Sequence, residues 1–204
     1  MSKELVTVIK SVNYSEADKV LTVFGKERGK FTIFAKGIRK MKSKNRGNMQ
    51  TLCTSNISFY EGKGLPVLTE SQFVFIPDIE SGKFDVKNVE RILFMMNKFL
   101  QEYDPYPNLF DALQSVLKNN FDTSSVNKLR LKFLKEMGFL QDFSTCSECG
   151  SSEDVKYLDT KNFALVCKNC YSNGRGKPLG SNPYGSQILT NALDGYVRRV
   201  VEEI

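Results

Sequence analysis

Between Leu5 and Phe75 the chain runs as short apolar stretches divided by turn residues, and within the stretches the apolar period is two. This pattern predicts five strands, over Leu5–Val12, Lys19–Phe24, Lys30–Lys36, Thr51–Tyr60 and Leu65–Phe75. The third alternates strictly, with Phe31, Ile33 and Ala35 on one face; Cys53, Ile57 and Phe59 share a face of the fourth. Turns fall at Asn13–Asp18, between Gly25 and Gly29, and at Gly62-Lys63-Gly64, and Pro77 ends the last strand. A long polar loop, Gly37–Gly47, separates the third strand from the fourth. Five short strands in under 80 residues suggest a small closed barrel, and an OB-fold is the natural candidate. An SH3-like barrel has a similar size, and periodicity does not separate the two.

Beyond Pro77 the period becomes helical. Val89, Ile92, Leu93, Met96, Phe99, Leu100 and Tyr103 fall at three-and-four spacing until Pro105 and Pro107, and Pro107 suits the first position of a second helix. Leu109, Phe110, Leu113, Val116 and Leu117 line that helix. A third starts at Ser124 or Ser125, turns Val126, Leu129, Phe133, Leu134 and Met137 inward, and stops at Gly138. A last helix fits Gly185–Ile204. These stripes read as helix–helix core rather than cofactor contacts, and Met95-Met96 as gap-filling core. The expected fold class is multi-domain α+β: an OB-fold β-barrel over residues 1–78, an α-helical domain over 79–140, an inserted four-cysteine zinc element over 141–180, and a C-terminal helix over 181–204 packing on the helical domain.

The zinc expectation rests on two Cys-x2-Cys pairs, Cys146/Cys149 and Cys167/Cys170, with Asp159–Val166 reading as a hairpin between them. Two thiolates at this spacing chelate one ion from a tight turn, and two such turns complete a tetrahedral sulfur shell. The pairs predict one structural Zn2+ with no ligand position open for catalysis. A thioredoxin-like redox site needs a single pair on a βαβ unit. Cys53, on a predicted strand, reads as a small buried hydrophobe.

Composition sharpens this picture in three ways. Of 204 residues, 41% are apolar and 25% charged, which is globular composition. The longest unbroken apolar run, Ile92–Met96, is far short of a membrane span, and the first residues have no apolar signal-peptide core. With unpaired cysteine usage, this reads as a reduced cytoplasmic protein that contacts no membrane. Histidine is absent altogether, which removes Ser-His-Asp triads, Cys-His dyads and His-ligated zinc proteases. The third point is charge. The net +6 lies wholly in residues 1–78, and no acidic residue occurs between Glu27 and Glu61. That window contains Arg28, Lys30, Lys36, Arg39, Lys40, Lys42, Lys44 and Arg46. Ordinary solvated faces mix both signs; eight cations without an anion read as a site for a polyanion such as nucleic acid. Among the barrel aromatics Tyr14, Phe24, Phe31, Phe34, Phe59 and Tyr60, the alternation points Phe34 and Tyr60 outward, where OB-folds stack bases.

These residues resemble the RecO family of bacterial recombination mediators. The likeness lies in Tyr14-Ser-Glu-Ala-Asp-Lys-Val-Leu-Thr-Val-Phe24, Gly29-Lys-Phe31, Ala35-Lys-Gly-Ile-Arg39 and Tyr60-Glu-Gly-Lys-Gly-Leu-Pro-Val-Leu-Thr-Glu70. It continues through Glu102–Leu113 and through Lys128–Leu140 into the first cysteine pair. After Cys170 only 34 residues remain, where the resemblance implies a longer helical end. The resemblance implies a DNA repair and homologous-recombination protein, not an enzyme, located in the cytoplasm with the nucleoid. Such a protein binds single- and double-stranded DNA, anneals complementary strands and, with RecR as partner, assists loading of RecA. It further implies docking of the acidic C-terminal tail of single-strand DNA-binding protein; the third helix, with Lys128, Arg130, Lys132 and Lys135 beside Leu129 and Phe133, has the ingredients for it. A zinc-containing OB-fold protein of RNA or the ribosome is the alternative, since basic charge and a zinc element serve RNA equally.

Overall fold

Strand β1 (Ser2–Asn13) carries the first part of the structure. It pairs antiparallel with β4 (Thr54–Tyr60) through Ser2–Thr7 and with β2 (Lys19–Gly25) through Val6–Asn13. A register shift between Val8 and Lys10 lets one strand serve both neighbours, because a bulge bends and twists it. With β3 (Gly29–Ala35) and β5 (Val67–Phe75) the order is β1-β2-β3-β5-β4, closed back onto β1. Closure at β3–β5 is parallel and short, a single register pair of Phe34 with Val67, where the Phe34 N–H donates to the Pro66 carbonyl at 2.8 Å. This is the strand order of an OB-fold. The alternation seen in the sequence puts Val6, Val8, Leu21, Val23, Phe31, Ile33 and Phe59 inside at 0% exposure. Cys53 is also fully buried, but it lies just before β4 rather than on it. Its sulfur is 3.6 Å from the Ser55 hydroxyl, and burial pushes its thiol pKa up.

The computed structural model describes residues 1–78, 85–140, 143–172 and 176–204. The expected boundaries at residues 79 and 141, and residues 173–175 of the expected zinc element, lie outside the described residues. The chain forms two compact units, Met1–Asn120 and Phe121–Ile204. The segment expected as one helical domain is therefore shared between them.

Helices α1 (Val86–Phe99) and α2 (Pro107–Lys118) belong with the barrel. Asp85 caps α1 by accepting from the Lys87 N–H, and Pro107 opens α2 at its first turn. The sequence stripe runs on to Tyr103, yet α1 stops at Phe99. The chain turns out there to pair with the barrel: Glu102 bridges Lys30, and the Tyr103 N–H donates to the Lys30 carbonyl at 2.8 Å. Gly29 is required at this junction, since a Cβ there would meet the Asp104 carbonyl oxygen at 1.8 Å. On α2, Phe110 packs on Phe24, and Gln114 closes a ring of hydrogen bonds with Thr7 and Thr54, each at 2.9 to 3.1 Å. Burial of this polar ring is tolerated because every member finds a partner.

In the second unit, α3 (Thr123–Glu136) starts earlier than the sequence suggests, because Asp122 accepts from the Ser125 N–H and is the cap. Gly138, at φ +77°, ends the helix. β6 (Val155–Asp159) and β7 (Ala164–Cys167) form a hairpin, α4 (Lys168–Tyr171) follows, and β8 (Lys177–Pro178), with no apolar pattern to announce it, adds to β6. α5 (Gln187–Glu203), capped by Ser186, packs on α3. Their contact is partly polar: buried Asn127 donates to Thr190 Oγ1 at 2.8 Å, and the Arg130 guanidinium meets the Asp194 carboxylate at 2.7 Å.

Candidate nucleic-acid interface and metal centre

The cations of the acid-free window divide into two sets. Arg28 pairs with Glu61 and lies over the Phe59 ring, 5.1 Å from its centre. Lys30 turns its ammonium to the Asn97 carbonyl in the last turn of α1, where a cation complements the helix dipole. Burial depresses its pKa. These two expected nucleic-acid contacts are thus engaged inside the barrel unit. The other six, Lys36, Arg39, Lys40, Lys42, Lys44 and Arg46, are exposed on the segment joining β3 to β4. None of the six forms an ion pair among the described residues.

That segment is polar but anchored. Ile38 and Met49 plug into the barrel core, and Leu52 is also buried, all at most 3% exposed. The Asn45 side chain accepts from both the backbone N–H and the hydroxyl of Ser71 on β5, and Asn48 donates to the Ser71 carbonyl. At its start the segment is stapled to the β1–β2 turn. The Gly37 N–H donates to Asp18 at 2.7 Å, the Arg39 N–H to the Ala17 carbonyl, and the Arg39 guanidinium to the Ser15 carbonyl at 2.7 Å. The Gly37 hydrogen bond, followed by that of the Ser15 hydroxyl, holds the Asp18 carboxyl below its ordinary pKa. Gly37 itself sits at φ +67°, a conformation glycine adopts without strain. The sequence hides these anchors because single apolar residues in a polar loop have no period. Of the aromatics, Phe24, Phe31 and Phe59 are core at 0% exposure and Tyr60 is exposed as its alternation predicts. Tyr14 is also exposed.

The four paired cysteines converge. Their sulfurs all lie within 4.8 Å of one another, and Cys149 and Cys167 are 3.7 Å apart. A tetrahedron with bonds of about 2.3 Å has edges of about 3.8 Å, so the set fits one metal ion. The first pair sits on a tight turn in which the Gly150 N–H donates to the Cys146 carbonyl, and Gly150 takes φ +74°. The second pair spans the end of β7 and α4. Burial opposes ionisation of Cys146, but backbone hydrogen bonds from Cys167, Cys149 and Glu148 outweigh it and bring its thiol down to about 6. Hydrogen bonding to Cys167 and Cys149 pushes Cys170 up to about 12. Four thiols this close share protons that a bound divalent cation would displace.

A third feature lies on α3. Lys128, Lys132 and Lys135 rim a groove of about 310 Å³ floored by Leu131, Leu140 and Phe143, with the Lys128 ammonium over the Tyr184 ring. The sequence reading differs here in two respects. Arg130 is 2% exposed and held by Asp194, so it belongs to the interior, and Leu129 and Phe133 are core rather than groove.

A closed OB-type barrel with an exposed cationic loop, followed by a unit with a four-cysteine cluster, defines a class of OB-fold proteins whose cysteines could hold one metal ion; no described helix is long and apolar enough to cross a membrane. Comparison with known proteins narrows the class. The model of the recombination protein O N terminal matches residues 1–76, and that of the recombination protein O C terminal matches residues 92–182. A DNA repair protein RecO from Acetivibrio thermocellus is 29% identical over 182 residues, 83% of this chain and 70% of that protein. Those from Clostridium novyi and Syntrophomonas wolfei are 26% and 25% identical, covering 90% and 83% of this chain and 74% and 70% of their own. The chain belongs to the RecO family of DNA repair and recombination proteins.

Proposed function

We propose that this protein is a recombination mediator that binds single- and double-stranded DNA through Lys36, Arg39, Lys40, Lys42, Lys44 and Arg46, anneals complementary strands, and acts with RecR to assist loading of RecA. The observation that carries the reading is the anchored loop with six exposed cations, none of them in an ion pair among the described residues. Phosphate contacts from such a loop are independent of sequence and neutralise two strands at once, while leaving base edges accessible for pairing. No acid or base is needed for that, so no catalytic residue is assigned.

Zn2+ is the metal we assign to Cys146, Cys149, Cys167 and Cys170, since a closed four-thiolate site suits a structural zinc. The groove on α3 we assign to the acidic C-terminal tail of single-strand DNA-binding protein: its apolar floor suits a hydrophobic side chain, and Lys128, Lys132 and Lys135 suit carboxylates. The place of action is the cytoplasm, at the nucleoid.

The test is a titration of labelled single-stranded and duplex DNA, with RNA of the same sequence as a third probe. With about four phosphates contacted, log K falls against log salt with a slope near −3 on single strands. Reversal of Arg39, Lys40 and Lys42 to Glu weakens binding to both DNA forms and slows annealing of complementary oligonucleotides. Unchanged affinity in that variant would move the site elsewhere, and tighter binding to RNA would favour a role on RNA. For the α3 groove, Lys132→Glu lowers affinity for the tail peptide.

A further inference from the structure

We infer that Tyr14 is a stacking platform for one unpaired base, and that it gives the cationic loop a preference for single strands over duplex. The inference rests on the phosphate-binding reading of that loop and adds a base contact to it. Tyr14 is 71% exposed at the start of the β1–β2 turn, yet its position is fixed. Its N–H donates to the Asp18 carbonyl at 3.1 Å, and its ring meets Phe34 edge to face, at 5.4 Å between centres and 89° between planes. This differs from the other exposed barrel-unit tyrosine that has a ring partner, Tyr103, which lies nearly parallel on Phe31 at 6.1 Å and so already has a face occupied. An edge-to-face contact braces a ring while leaving at least one of its faces for a further partner.

The partner is set by what the turn is tied to. Asp18 takes the Gly37 N–H, and Ser15, next to Tyr14, takes the Arg39 guanidinium. One of the five guanidinium donors is used in that bond. Asp18, which holds the Tyr14 backbone, and Ser15, its neighbour in the chain, thus tie the turn to the start of the loop, where Lys36, Arg39 and Lys40 lie. An aromatic face next to cations matches a nucleotide with its base unstacked: the base meets the ring and its phosphates meet the cations. In a duplex the bases are stacked on each other, so only the phosphates remain to be bound.

Three probes of equal length test this: an oligothymidylate, an abasic oligonucleotide with the same phosphates, and a duplex. Wild type is expected to bind the oligothymidylate about tenfold more tightly than the abasic strand, the scale of one base–aromatic stack. Tyr14→Ala removes that difference and leaves abasic and duplex affinity in place, while Tyr14→Phe retains it. Equal loss on all three probes would show a structural role for Tyr14 and overturn the inference. So would an unchanged preference in Tyr14→Ala, with the phosphate reading left standing. Absence of wild-type binding to any probe would instead overturn the phosphate reading itself, and this one with it.

Discussion

The two units reach a fixed structure by different means. The interior of the barrel is an apolar cluster from all five strands, with Phe31, Phe59, Val23 and Ile57 among its members. Around the cysteines the buried cluster is Cys146, Val166 and Cys167, with Val155, Tyr157, Cys170 and Tyr171 packed at its margin. Three of those seven residues are candidate ligands. The barrel is thus held by burial of apolar surface, whereas the knuckles depend on what their sulfurs bind. A small region with too little core substitutes a metal for hydrophobic area.

Metal removal is the strongest way to test that contrast. Structural zinc sites contribute on the order of 10–16 kcal/mol of binding in isolated finger peptides. Chelation, or Cys146→Ser, is therefore expected to release hydrogen-exchange protection over β6, β7 and α4 while the barrel strands stay protected. Parallel loss in the barrel would remove the distinction. The next largest effect lies on the α3–α5 contact. Asp194→Ala removes the carboxylate that meets the buried Arg130 guanidinium, and a stability loss of about 1–3 kcal/mol is expected, read in thermal melts as a lower transition of the second unit. In the barrel unit the comparable polar lesion involves no charge and falls in the same range, towards its low end. Gln114→Ala leaves Thr7 and Thr54 bonded to each other, so about 1–3 kcal/mol is expected, mostly from lost docking of α2.

Acid separates the units by a smaller and graded effect. Protons compete with metal for thiolates, whose ordinary pKa is about 8.5, so metal release belongs to mild acid, above the carboxylate range. The Asp18 staple behaves differently. Its folded pKa lies below the ordinary value, so its contribution is complete above that ordinary value and is lost only as pH falls further, through the depressed one. Titration followed by a colorimetric metal indicator and by the Gly37 amide resonance should therefore show metal release first and loop loosening second. The reverse order would contradict both assignments.

Legibility follows the same division. The five strands are readable because a half-buried strand writes its alternation locally, and the candidate metal ligands because chelation demands a fixed short spacing. What escapes a reading of the sequence depends on distant partners. Arg130 looks like any cation on an amphipathic helix, but it is buried against Asp194, 64 residues on. Lys30 sits in an acid-free run, but its ammonium faces a helix end 67 residues away. Tyr103 continues a helical stripe, but pairing of its backbone to β3 takes it out of the helix. The barrel strand order is not in the alternation either, since two topologies share that period.

The placement of Cys53 turns the five thiols into a count of structural states. Its thiol is fully buried beside Ser55 and kept protonated by that burial, so an alkylating reagent finds no thiolate there while the barrel stands. The other four are masked as long as a metal holds them. A brief pulse of iodoacetamide followed by intact mass measurement should then return molecules with no adduct, four adducts or five: whole, opened at the knuckles, or unfolded throughout. A single mass spectrum thereby gives the population of each state at any temperature or denaturant concentration, with no probe attached to the chain beforehand.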